Sequence, residues 1–335
     1  MTATTISLVL GSGGARGYAH IGVIEELIAH GYDIRSVAGS SMGALVGGVH
    51  AAGKLDAFRD WARPLQRLDV LRMLDPSFSG GGLIKGDRLI DKLRDMIGEQ
   101  RIEDLPITYT AVAVDLLAQR EVWFSRGSLF DAIRASIAIP TVLRPHQYQG
   151  RTLVDGGLLN PVPITPTLRD PTDCTIAVDI NGPAETPEGA VAPTGVIDLG
   201  AQDAADALSA LGESAAGMAS ITRSDTQQPD AAAGERSDAP GIRARIAGFV
   251  AGIFGRQGHS AEVAAEPGML ELFASSLDVV QETITRFRLA AQPPDLLIRI
   301  PRNAGAFYEF HRAAEFIEIG RERTREALRR WRPPS

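Results

Sequence analysis

The stretch Gly39-Ser40-Ser41-Met42-Gly43 follows a short β-branched run and precedes the helical pattern "ALVGGVHAAG". That context puts the Ser41 hydroxyl on a sharp strand-to-helix turn. Gly39 and Gly43 remove the side chains that would block the turn, leaving the hydroxyl free to attack an acyl carbonyl. Attack creates a tetrahedral oxyanion, which needs N–H donors already in place. A second glycine-rich turn, "GSGGARG" (Gly11 to Gly17), ends the run "ISLVL" and opens another helix. Its amides could cradle a phosphate or an oxyanion, because the first N–H groups of a helix are unpaired. The phosphate readings fail on residue chemistry. A P-loop turn closes with Gly-Lys-Ser/Thr, whereas this one continues "ARGYAH". A dinucleotide fold wants an acidic residue closing the second strand, and here "IRSVAG" runs into a small neutral turn. Gly13 and Gly14 are therefore the expected oxyanion donors, with Arg16 adding positive charge beside them.

An attacking serine needs a proton acceptor. Of the six histidines, His20, His30 and His50 fall within or at the ends of helical patterns, and His259 lies in a polar, low-complexity region. His146 and His311 remain as members of a Ser-His-Asp triad. The stretch "LVDGGLLNPVPI" offers a different base. Asp155 ends an apolar run, Gly156 and Gly157 let the backbone turn tightly, and the carboxylate could take the serine proton directly. The same residues also suit an ordinary Asp-Gly hairpin turn.

Elements that would position these groups can be read from the alternation of strand-like runs and amphipathic helical patterns up to about Asn181. The pattern predicts an α/β domain with a largely parallel sheet. Three segments follow: a catalytic core over 1–182, an insertion over 183–268, and a helix-strand-helix over 269–335 that completes the core. The insertion is rich in Ala, Gly, Ser, Asp and Pro and is expected to be flexible. Within it, "GIRARIAGFVAGIFGR" (241–256) carries apolar residues at helical spacing and three arginines. Such a helix could lie in a lipid interface as a peripheral membrane contact, or pack on the core.

The chain has 335 residues, with 34 Lys and Arg against 41 Asp and Glu and a net charge of -7. Its basic residues are dispersed, so no nucleic acid partner is expected. The single Cys174 can form neither an internal disulfide nor a metal cluster. Residues 1–10 lack the basic n-region of a signal peptide. The expectation is a cytoplasmic protein, with attachment to the inner face of the membrane left open.

Taken in order, "GSGGARG", "GSSMG" and "DGG" resemble the patatin-like phospholipase family. The resemblance extends through "GLIKGDRLIDKLRDMIGEQRIEDLPITYTAVAVDL", "DAIRASIAIPTVLRPHQYQGRTLVDGGLLNPVPI" and "SLDVVQETITRFRLAAQPPDLLIRI". It implies a three-layer α/β/α sandwich with a mainly parallel central sheet. It also implies a Ser41–Asp155 dyad in place of a triad, and an oxyanion loop holding Gly13, Gly14, Arg16 and Gly17. The implied activity is hydrolysis of lipid or phospholipid acyl esters without metal or organic cofactor. Transfer of the acyl group from the same acyl-serine to another acceptor, and a non-catalytic membrane-associated scaffold, are the competing readings. Two features depart from the family pattern. Ser12 interrupts the glycine run, which would add strain of about 1 kcal/mol if its φ were positive. The second is the long insertion.

Overall fold

The run Thr5–Leu10 forms the first strand, β1, and its side chains alternate between two apolar clusters. Ile6, Leu8 and Leu10 join the larger cluster, while Val9 meets Val162, Ile164 and Ala177 on the opposite face. A strand apolar on both faces needs cover on both, and that requirement produces a layered α/β fold.

The computed structural model describes residues 3–75, 82–185 and 269–333. After β1 come α1 (Ala19–Ala29), β2 (Asp33–Ser40), α2 (Met42–Ala51), α3 (Leu55–Ala62) and α4 (Arg67–Met73). The chain continues through β3 (Gly82–Ile84), α5 (Asp87–Ile97), β4 (Thr108–Asp115), β5 (Arg120–Phe124) and α6 (Leu129–Ser136). Next are β6 (Thr141–Leu143), β7 (His146–Tyr148), β8 (Arg151–Asp155) and β9 (Cys174–Gly182). The last described elements are α7 (Met269–Ala291), β10 (Leu296–Pro301) and α8 (Ala313–Arg330). By contacts the chain divides into two units, 1–185 with 241–335 and 186–240, and every described residue belongs to the first. Of the insertion expected over 183–268, residues 186–268 lie outside the described residues, and with them the basic stretch 241–256. No described helix is long and apolar enough to cross a membrane.

The main sheet runs β10-β9-β1-β2-β4-β8-β7, with β5 also pairing β4. From β10 to β4 every pairing is parallel, as helical crossovers require. The pairs β4–β5, β4–β8 and β7–β8 are antiparallel. Short turns account for β4–β5 and β7–β8: β7 and β8 are joined by Gln149 and Gly150, both at positive φ (49° and 75°), the pattern of a tight hairpin. Helices α1, α2, α6 and α8 feed the larger apolar cluster on one face. Leu289 of α7 packs with Val162 and Ile164 on the other. The result is a mixed, mostly parallel sheet between two helical layers.

The C-terminal helix is locked into this core at glycine contacts. A Cβ on Gly22 of α1 would lie 1.9 Å from the Ile317 carbonyl oxygen of α8, and one on Gly320 would lie 2.1 Å from that of Ala19. Beside the crossing, Glu25 accepts from Arg59 and from Arg321, each at 2.6 Å. Gly22→Val should therefore force the two helices apart and destabilise the protein by about 3 kcal/mol. Thermal unfolding would register this as a melting point lower by roughly 6 to 12 °C.

Candidate active site

Strand β2 ends at Ser40 and α2 begins at Met42, so Ser41 makes the turn alone, at φ 54° and ψ -123°. A non-glycine residue held there carries strain of about 1–3 kcal/mol and persists only if its surroundings hold it. They do so through three bonds. The Ser41 amide donates to Ser136 Oγ at 2.9 Å, Ser136 Oγ donates to the Val112 carbonyl at 2.6 Å, and the Ser41 carbonyl accepts from the Leu45 amide at 3.1 Å. The flanking glycines are dictated by crowding. A Cβ on Gly39 would meet the Gly43 carbonyl oxygen at 2.4 Å, and one on Gly43 the Leu10 carbonyl oxygen at 2.0 Å.

The Ser41 hydroxyl donates to Asp155 Oδ2 at 2.6 Å, although the two residues are 114 positions apart. Strand β4 brings them together. It pairs with β2 at Ser40↔Val112 and, one residue further along the same edge, with β8 at Ala113↔Asp155, the opposite edge being taken by β5. The remaining oxygen, Asp155 Oδ1, accepts from the Gly157 amide at 2.7 Å. Burial pushes the Asp155 carboxyl up to about 7, against the opposing pull of the Ser41 and Gly157 hydrogen bonds. Gly156 fits because its α-carbon faces the Val112 carbonyl, which a Cβ would approach to 2.1 Å.

The glycine turn after β1 is pinned on both sides of Gly13 and Gly14. The Gly11 amide donates to Val178 O (3.0 Å), that of Ser12 to Pro161 O (2.8 Å) and that of Ala15 to Phe307 O (2.7 Å). The amides of Gly13 and Gly14 have no acceptor among the described residues. Ser12 is not among the residues at positive φ, so the strain that its presence could have introduced does not arise. The left-handed step falls instead on Gly14 (φ 59°), where a Cβ would lie 2.4 Å from Phe307 O. Beneath the turn, burial lowers the His20 imidazole to about 4. It is thus neutral, with Nε2–H donating to Gly11 O at 2.8 Å.

Arg16 is not part of the cavity wall. Its Nη1 donates to the carbonyls of Arg302 (2.9 Å) and Gly305 (3.2 Å). Its Nη2 reaches Asn181 Oδ1 (2.6 Å) and Asp278 Oδ1 (3.1 Å). The guanidinium is buried and holds the glycine turn to β9, α7 and the segment after β10. Gly17 is a close-packing position, since a Cβ there would touch that of Met42 at 2.3 Å.

Ser12, Gly13, Gly14, Ser41 and Asp155 line one narrow cavity. Its other walls are Ile139, Phe307 and, from α7, Phe273, Leu277, Asp278 and Gln281. Neither histidine raised as a triad member reaches it. His146 Nε2 lies 3.2 Å from Asp131 Oδ1, and His311 Nε2 accepts from Arg67 Nε at 3.3 Å. Among the described residues no group of three or more His, Cys, Asp or Glu stands close enough to hold a metal ion. Sequence reasoning missed Ser136, Asn181 and Gln281. Gln281 did leave a trace: it falls on the inward stripe of an amphipathic helix, four residues after Leu277 and eight after Phe273, where an apolar side chain is the norm.

A family model described as "Patatin-like phospholipase" matches residues 8–168. An uncharacterized NTE family protein of Mycobacterium tuberculosis (strain H37Rv) is 45% identical over 335 residues, covering 96% of this chain and 91% of that one. The chain belongs to the patatin-like phospholipase family. Longer animal proteins share a part of it. The patatin-like phospholipase domain-containing protein ZK370.4 of Caenorhabditis elegans is 32% identical over 193 residues, 56% of this chain and 14% of its own. Patatin-like phospholipase domain-containing protein 6 of Mus musculus is 30% identical with the same coverage. The solved structure of VipD from Legionella pneumophila aligns at TM-score 0.43 and 13% identity, over 98% of this chain and 67% of that one. In this patatin-like chain the cavity also draws on Phe273, Leu277, Asp278, Gln281 and Phe307, all beyond the matched stretch.

Ser136→Ala should leave the strained Ser41 amide and the Val112 carbonyl without a partner. The expected result is a loss of about 1–3 kcal/mol of stability. Any esterase activity should fall through kcat more than through KM, because the group affected is the reacting hydroxyl and not a binding surface. Chemical denaturation and steady-state kinetics on one preparation check both.

Proposed function

We propose that the protein is a serine lipid acyl hydrolase in which Ser41 is the nucleophile, Asp155 its base, and the Gly13 and Gly14 amides the oxyanion donors. The observation that carries this reading is the 2.6 Å bond from Ser41 Oγ to a buried Asp155 oxygen, in a cavity that also holds two backbone amides without acceptors among the described residues. Membership of the family supports the class of reaction.

In the proposed cycle Ser41 Oγ attacks the acyl carbonyl while its proton passes to Asp155 Oδ2. The carbonyl oxygen gains negative charge and takes hydrogen bonds from the Gly13 and Gly14 amides. As the tetrahedral intermediate collapses, Asp155 gives its proton to the leaving alkoxide, and an acyl-serine remains. Water then loses a proton to Asp155 as it attacks the acyl-serine; collapse of this second intermediate breaks the Ser41 Oγ–acyl bond, Asp155 returns the proton to Ser41 Oγ, and the fatty acid departs. A carboxylate of ordinary acidity would be a weak base for a serine hydroxyl. Burial corrects this by raising its proton affinity toward the working pH. Gly157 keeps the second oxygen occupied, so that Oδ2 is left to face Ser41.

A fluorophosphonate probe should label Ser41 in the wild type. Ser41→Ala and Asp155→Asn should each lower hydrolysis of a short p-nitrophenyl ester by more than about 10³-fold while remaining folded. Full activity in either variant refutes the dyad.

The pH dependence follows from the raised carboxyl. The ionised form accepts the proton, so wild-type kcat/KM should rise through about pH 7 and level off above it. Stability runs the other way. The folded-state value lies above that of the unfolded chain, so folding favours the protonated form, and this contribution is lost as pH climbs from the ordinary carboxylate range to about 7. Asp155→Asn should therefore melt higher than wild type at pH 8, and the gap should close below pH 4. Melting curves across that range would expose an opposite sign.

A further inference from the structure

Helix α7 contributes one polar side chain whose bonding is half complete. Gln281 is buried, and its Oε1 accepts from Ser12 Oγ at 3.0 Å and from Asn181 Nδ2 at 3.1 Å. The orientation of this amide is set by the groups behind it. Asn181 Oδ1 is taken by the Arg16 guanidinium, which can only donate, so Asn181 must present its Nδ2 to Gln281. Nδ2 also donates to the Ser12 carbonyl at 2.9 Å. Gln281 is left with Oε1 turned toward the glycine loop and Nε2 turned the other way. Nε2 lies 2.7 Å from where a Cβ on Gly157 would sit, and it donates to no group among the described residues. Two N–H donors thus stand unused at the wall of the cavity that holds Ser41 and Asp155. The residue is buried, yet Nε2 is not one of the enclosed unpartnered atoms and its side chain lines the cavity, so a ligand entering there can take up its free N–H groups.

The position of Nε2 says which part of a ligand it would meet. Gly157 is the residue whose amide binds Asp155 Oδ1, so Nε2 borders the carboxylate side of the cavity. The glycine loop, with the Gly13 and Gly14 amides, serves the acyl oxygen. The leaving alcohol must approach Asp155 to be protonated. Resting on the hydrolase reading above, we propose that Gln281 is a specificity-determining residue whose Nε2 donates to an acceptor oxygen on the alcohol portion of the ester. The substrate class this favours is esters of polyols, such as glyceryl esters, over esters of simple alkanols carrying the same acyl chain. No covalent step is added to the cycle; the bond orients the leaving group and distinguishes one alcohol from another.

The experiment compares two substrates of one fatty acid, its glyceryl monoester and its ethyl ester, dispersed in the same detergent. Gln281→Met removes the donor at nearly constant volume. Gln281→Glu keeps an acceptor oxygen for Ser12 and Asn181 while replacing the donor, and serves if the methionine variant does not fold. The expected result is a kcat/KM for the glyceryl ester lower by about 3- to 10-fold, the range of a neutral hydrogen bond, with the ethyl ester changed much less. A purely structural role for Gln281 would lower both substrates equally and so overturns the proposal; unchanged kcat/KM for both overturns it as well. Labelling of wild-type Ser41 by a fluorophosphonate reports separately on the hydrolase reading. Wild-type protein that neither labels nor turns over either ester removes that reading and this proposal with it. Labelling with an unaltered ester preference in the variants removes this proposal alone.

Discussion

A carboxylate kept away from bulk water is the constraint around which the rest of the molecule is arranged. Asp155 has two oxygens and two donors, the Ser41 hydroxyl and the Gly157 amide. Burial raises its proton affinity and the two hydrogen bonds restrain the rise. If either donor were lost, the charged form would be harder to hold; if the site were wet, the group would return toward the ordinary acidity of an aspartate and be a weak base. Both the chemistry and the cost therefore come from the same burial.

Keeping the serine and the carboxylate in register falls to β4. A single edge carries the end of β2 and then the end of β8, while β5 holds the other edge, so adjacent residues, Val112 and Ala113, sit opposite Ser40 and Asp155. Hydrogen-bonded strands change spacing little, and neighbouring strands lie about 5 Å apart. The pair thus rests on the sheet interior and not on a loop. Val112 serves twice, because its carbonyl also anchors Ser136, which in turn holds the strained Ser41 amide. Strain at the nucleophile is tolerated because the surrounding framework is stiff.

The glycine loop depends on distant chain in a different way. Its position is maintained by Arg16, whose four acceptors come from Asn181, Asp278, Arg302 and Gly305, and by Ala15 bonding to Phe307. All five lie beyond the stretch that matches the family model. The residues that follow the insertion are thus part of the loop's support. An arginine with its guanidinium buried among carbonyls and a carboxylate is a structural clamp, bonded to the chain around the glycine loop and not lining the cavity.

Much of this was legible from residue order alone, for reasons that are local. A strand, a turn that admits only small residues and a helix specify the elbow around Ser41, and "LVDGG" specifies a carboxylate at a strand end, because such geometries are settled within a few residues. The alternation of β-branched runs and helical stretches likewise carried the layered α/β class, since a strand apolar on both faces must be covered twice. What the tertiary structure decided was the partner of each polar group. Arg16 turned to the C-terminal segments, Ser136 was brought to Ser41 from 95 positions away, and Gln281 came to pack against Gly157. Those pairings depend on where elements cross, and a crossing leaves no periodic signal in the residues that meet there. The backbone conformation of a turn is a property of its own residues; the environment of a buried charge is a property of the whole chain.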